Sequence, residues 1–117
     1  MLCACGGKAP IPDVFAETMA GWHRVGGVSS VRDEASPVNN AEAIRSAIYE
    51  GTGKLEARIY ALPTSAMALD VVQRWTPAAD TVFFYSDRFF VVVRWEAADR
   101  KALQAFVSEL EKKMSRR

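Results

Sequence analysis

Thr81-Val82-Phe83-Phe84-Tyr85-Ser86-Asp87-Arg88-Phe89-Phe90-Val91-Val92-Val93-Arg94-Trp95-Glu96 is the stretch on which the fold turns. Two β-branched and aromatic runs, Thr81 to Tyr85 and Arg88 to Glu96, flank Ser86-Asp87, which is the composition of a tight antiparallel hairpin. Beyond it, Asp99 can cap a helix whose Leu103, Phe106, Val107, Leu110 and Met114 recur at helical spacing. A hairpin followed by an amphipathic helix is therefore the expected ending of the chain.

The same order is legible upstream. Lys54 to Leu62 alternates, with Leu55, Ala57, Ile59 and Ala61 on one side, as a half-buried strand should. Gly51-Thr52-Gly53 predicts a turn joining it to Ile48–Glu50. After Pro63, Ala68, Leu69, Val71, Val72 and Trp75 fall largely on one helical stripe, and Pro77 is expected to end that helix. A slide of 34 positions lays Leu55 on Phe89, Ile59 on Val93, Leu69 on Leu103 and Val72 on Phe106. This is either a duplication or the same physics used twice.

The expected fold is α+β: a two-layer structure in which an antiparallel sheet carries two helices on one face, as a ββα-ββα pseudo-repeat preceded by an N-terminal segment. The covered face would hold Leu55, Ile59, Val82, Phe84, Phe89, Val91, Val93 and Trp95. Earlier in the chain, Phe15 to Val31 predicts a short helical turn and then a strand near Trp22, with Gly21, Gly26 and Gly27 breaking any helix. Asp33 to Asn40 is turn-forming. Asn39 and Glu42, at capping-box spacing, can start a short helix through about Ala47, the alternative being a direct run into a strand.

Composition bounds the function. A chain of 117 residues, half of them hydrophobic and a quarter charged, fits one domain with its own core, here residues 13–117 behind a leader of residues 1–12. Fifteen basic against fourteen acidic residues give a formal charge of +1, too little to draw nucleic acid or an anionic membrane by a general field. Lys112, Lys113, Arg116 and Arg117 are basic but sit where cations complement a helix C-terminus. No apolar run approaches the ~20 residues of a spanning helix.

Little chemistry is visible. His23 is the sole histidine, beside Trp22 in an expected strand, so a multi-histidine metal site is excluded and a partly buried structural role is the plain reading. Cys3 and Cys5 are too close together to staple a fold, and with His23 they lack a fourth metal ligand at recognisable spacing. Gly51-Thr52-Gly53-Lys54 echoes a phosphate loop, but Ile48 stands where the first glycine belongs and Leu55 where a hydroxyl must hold magnesium. No catalytic residue, metal ligand or cofactor signature emerges.

One surface invites binding. Opposite the covered face stand Arg58, Tyr60, Phe83, Tyr85, Phe90, Val92 and Arg94, too apolar a set to be left wet. Two readings stay open: the Phe15 to Val31 segment packs across it, or it meets a second chain or a ligand. Aromatics between arginines also suit stacked single-stranded nucleic acid, but Arg88 to Val93 lacks the glycines that let RNA approach.

Leu2-Cys3-Ala4-Cys5 matches the cleavage-site pattern of bacterial lipoprotein signal peptides, with Gly6 and Gly7 as a tether behind a lipidated Cys5. The charged and apolar regions of such a peptide would have to lie upstream of Met1. Otherwise the segment is a cytoplasmic tail with two incidental cysteines. From Phe15 onward, Gly21-Trp22, Tyr49-Glu50-Gly51, Leu55 to Tyr60, Ala66 to Trp75 and the hairpin Thr81 to Trp95 resemble an uncharacterised bacterial envelope-protein family. That resemblance implies a small domain of strands and helices behind a signal peptide, and no activity.

The sequence therefore leads to a non-enzymatic, envelope-anchored domain that binds a protein partner, a second copy or a small ligand through Arg58, Tyr60, Phe83, Tyr85, Phe90 and Arg94. It would touch a membrane only through Cys5 and bind no nucleic acid. The alternative is a small cytosolic enzyme or sensor with a pocket between sheet and helices.

Overall fold

The computed structural model describes residues 10–30, 41–76 and 78–115. Six strands form one sheet in the order β1-β2-β3-β4-β6-β5, every neighbouring pair antiparallel. They are β1 (Thr18–Met19), β2 (Trp22–Ser30), β3 (Ala43–Glu50), β4 (Lys54–Ala61), β5 (Thr81–Ser86) and β6 (Phe89–Glu96). Helix α1 (Ser65–Arg74) joins β4 to β5, and α2 (Arg100–Ser115) follows β6. The α+β class stands.

The two expected hairpins are present. Glu50 pairs with Lys54 across Gly51-Thr52-Gly53, and Ser86 pairs with Phe89 across Asp87-Arg88. Gly53 is obligatory for a steric reason, since a Cβ there would stand 2.6 Å from the Glu96 carbonyl oxygen. Asp99 caps α2, its carboxylate accepting the Ala102 N–H at 3.0 Å. Thr64 does the same for α1 through the Met67 N–H.

The helices do not share a face, which corrects the two-layer expectation. Helix α2 buries Leu103, Phe106, Leu110 and Met114 against Leu55, Ala57, Ile59, Phe89, Val91 and Val93. Helix α1 buries Ala68 with Met67, Val71, Val72 and Trp75 over Tyr60, Phe90, Val92 and Phe83, on the other side. The connectivity gives the reason. β4 and β5 each run antiparallel to β6, so they are parallel to one another, and α1 is the crossover between them. Such crossovers are right-handed, which dictates the face on which the helix lies. Helix α2 takes the face that remains.

Helix α2 crosses its face diagonally. Near its start Ala102 accepts a hydrogen bond from the Trp22 indole at 3.0 Å, and near its end the Met114 carbonyl accepts one from Ser86 at 3.5 Å. Its 16 residues span about 24 Å at 1.5 Å each. Four inter-strand steps from β2 to β5 need about 19 Å, so the helix is long enough to roof the sheet.

The N-terminal segment also joins the α2 side. Val14, Phe15, Met19 and Trp22 are buried there, with Tyr49 against Phe106 at 4.9 Å between ring centroids and Trp22 edge-on to Phe106 at 6.2 Å. The expected helical turn before Trp22 is absent, and the short strand β1 stands in its place. Residues 43–50 follow the direct run into a strand rather than the capped helix, and Asn39 lies outside the described residues, as does Pro77.

Candidate functional site

Cross-strand pairing sorts the α1 side of the sheet into rows. Ile44, Tyr60, Phe90 and Tyr85 form one row, and Ser29, Ser46, Arg58, Val92 and Phe83 the next. Beyond them come Val25, Ile48, Glu56, Arg94 and Thr81, then His23, Glu50, Lys54 and Glu96. Helix α1 sits over the first row and the β5–β6 end of the second.

The six residues expected to bind are thus divided. Tyr60 and Phe90 are buried, at 4% and 0% exposure, so they are core. Phe83 is half-buried, and Trp75 closes on both phenylalanine rings, 5.0 Å from Phe90 and 6.1 Å from Phe83. The aromatic part of the face is covered by α1, not by the N-terminal segment, whose Val14, Phe15, Met19 and Trp22 pack on the opposite side; Val31 lies outside the described residues. Tyr85, at 39%, stays exposed at the β5 edge. Arg58 and Arg94 lie in the second and third rows, where the sheet is polar.

In that polar half the side chains are ordered by one another. The Glu56 carboxylate accepts from the Ser46 hydroxyl at 2.9 Å and from the Arg58 Nε at 3.1 Å. Burial works to lower the Arg58 pKa, but hydrogen bonds with Tyr60 and Glu56 outweigh it and hold the guanidinium above its ordinary range. Arg58 therefore stays charged and pinned at the boundary between the covered and open halves. The pair is about one-third exposed, so its contribution to stability is about 0.2–1 kcal/mol.

Next to this network the surface is apolar and uncovered. Val25 is 46% and Ile48 37% exposed, although both lie in strands. A shallow depression of about 280 Å³ runs between Ile48, Glu56 and Arg94 toward Lys54 and Glu96. Among the described residues Arg94 makes no ion pair or side-chain hydrogen bond, although Glu56 faces it in register.

Sequence reasoning missed Ser46, Ile48 and Glu56 as members of this surface. No local signal marked them: Ala43-Ile44-Arg45-Ser46-Ala47-Ile48 shows no apolar/polar alternation, and it is the pairing of β3 with β4 that sets Ser46 and Ile48 beside Arg58 and Glu56. His23 is in a strand as expected but exposed rather than partly buried, opposite Glu50. Among the described residues no three His, Cys, Asp or Glu side chains are grouped to hold a metal, and no helix is long and apolar enough to cross a membrane. Cys5 lies outside the described residues. No family model, curated protein or solved structure matches this chain.

Proposed function

We propose that this chain is a non-enzymatic binding domain, held at a membrane surface through a lipidated Cys5, that recognises a partner protein across the uncovered half of its sheet. The observation carrying the reading is the Glu56 carboxylate fixed between Ser46 and Arg58 beside exposed Ile48 and Arg94, on a part of the sheet where no described helix packs. Ordered charges around an apolar centre are the anatomy of a protein interface, with the side-chain entropy already lost before the partner arrives. A small ligand fits less well, because such sites are deep and enclosed, whereas this depression is shallow and open to solvent. Leu2-Cys3-Ala4-Cys5 and the resemblance to an envelope family support the anchor.

A photo-cross-linking amino acid placed at Ile48 or at Gln104, an exposed position on α2, tests the surface in cells expressing the chain with its upstream sequence. A discrete adduct from position 48 that Arg94→Glu abolishes, with none from 104, is expected. No adduct at 48, or the same adduct from both positions, removes the sheet as the recognition surface. Palmitate labelling of wild type against Cys5→Ala tests the anchor separately: label that depends on Cys5 is expected, and its absence removes the anchor alone.

A further inference from the structure

We infer that two copies of this chain join along β5, antiparallel about a two-fold axis at Phe83, merging two six-stranded sheets into one. β5 is the outermost strand, and its hydrogen-bonding parity follows from one contact. The Trp95 N–H donates to the Asp80 carbonyl at 3.1 Å, which makes Asp80 and Trp95 a hydrogen-bonded pair. Such pairs alternate along an antiparallel ladder, so Val82, Phe84 and Ser86 exchange bonds with Val93, Val91 and Phe89. Thr81, Phe83 and Tyr85 then turn their N–H and C=O groups away from β6, toward the free edge. None of these groups makes another backbone hydrogen bond among the described residues.

Edge strands are normally defended, and among the described residues only one edge is. On the far side, β1 pairs with the first residues of β2, and the register of β2 slips between Val25 and Ser29 at Gly26, whose φ is 74°. β5 has no such device. Thr81 to Ser86 holds unbroken register with β6 and contains no charged residue, proline or glycine.

The strand is complementary to itself in one register. Only outward-facing residues can exchange bonds, so Thr81, Phe83 and Tyr85 must meet their counterparts in the second copy. Centring on Phe83 sets Thr81 against Tyr85 at both ends and uses all three, which is more than any shifted register allows. It also places Asp80 opposite Ser86 and Asp87 opposite Ala79, so no like charges meet. Tyr85 and, on the helix lying over β5, Leu69 are exposed at 39% and 38%, and both lie on the α1 side of the sheet. This pairing uses the edge of the sheet and leaves the proposed partner surface open.

Sedimentation equilibrium of the full chain, from low micromolar to near-millimolar concentration, is the test. The wild type is expected to pass from the monomer mass to twice that mass. Thr81→Lys with Tyr85→Lys sets like charges opposite one another at both ends and should hold the chain at the monomer mass. Thr81→Glu with Tyr85→Lys sets opposite charges at the same two places and should restore the dimer, with circular dichroism unchanged in each. A wild type that stays monomeric throughout, as a strand reserved for a different protein would leave it, overturns the inference. Association unaffected by the double-lysine change, or not recovered by the charge-paired one, overturns the register.

Discussion

The Tyr49 hydroxyl donates to the Ala16 carbonyl at 2.6 Å inside the cluster formed with Phe15 and Phe106. Burial pushes its pKa from 10.0 up to about 12, with Arg24 opposing and Asp13 adding to the shift. In the unfolded chain Tyr49 ionises near pH 10, while the folded chain holds its proton to about 12. Between those values the unfolded state binds fewer protons, so this contribution is intact below pH 10 and lost as pH rises through 12. Tyr49→Phe should cost about 1 kcal/mol at neutral pH through the lost hydrogen bond. It should also flatten the alkaline fall in stability, and denaturation curves that drop in parallel for both proteins would refute the assignment. Tyr49 was legible in the sequence only as part of the Tyr49-Glu50-Gly51 pattern. Its burial depends on Phe15 and Phe106, which are distant in sequence and carry no local sign that they meet there.

At the scale of elements, the repeat of hairpin and helix is legible in the order β3-β4-α1-β5-β6-α2, yet corresponding positions do different work. Leu103 is 6% exposed and lies under α2, whereas Leu69, one 34-residue step earlier, is 38% exposed. The apolar stripe of a helix shows how much it buries but not against which face, and the strand order decides the face. Leu103→Ala should therefore cost about 2–5 kcal/mol while Leu69→Ala stays within about 0.5 kcal/mol, as chemical denaturation would measure. Equal losses at the two positions would restore the equivalence that the structure breaks. Strand β4 was readable from its alternation, and β5 and β6 from their β-branched and aromatic runs about Ser86-Asp87, all of them local properties. β3 was obscured by Asn39 and Glu42, whose spacing suits a helix start, and only pairing along its whole length with β4 identifies it as a strand.

At the scale of the molecule, the sheet has one face roofed by α2 with the N-terminal segment and one divided by α1 into a sealed aromatic half and an open polar half. The sequence marks the whole second face as too apolar to be wet, but only its aromatic half is covered, by Trp75 and its helix. What remains exposed is Ile48 and Val25, beside a network in which buried Ser46 holds half-buried Glu56 and Arg58, a surface that exists only once β2, β3, β4 and β6 lie side by side. The division of that face is the claim on which the proposed surface depends. Guanidinium denaturation of Phe90→Ala against Arg94→Ala tests it most directly. Loss of about 3–5 kcal/mol for Phe90→Ala, with Arg94→Ala within about 0.5 kcal/mol of wild type, is the predicted result; a Phe90→Ala protein as stable as wild type would mean that α1 does not seal the aromatic half.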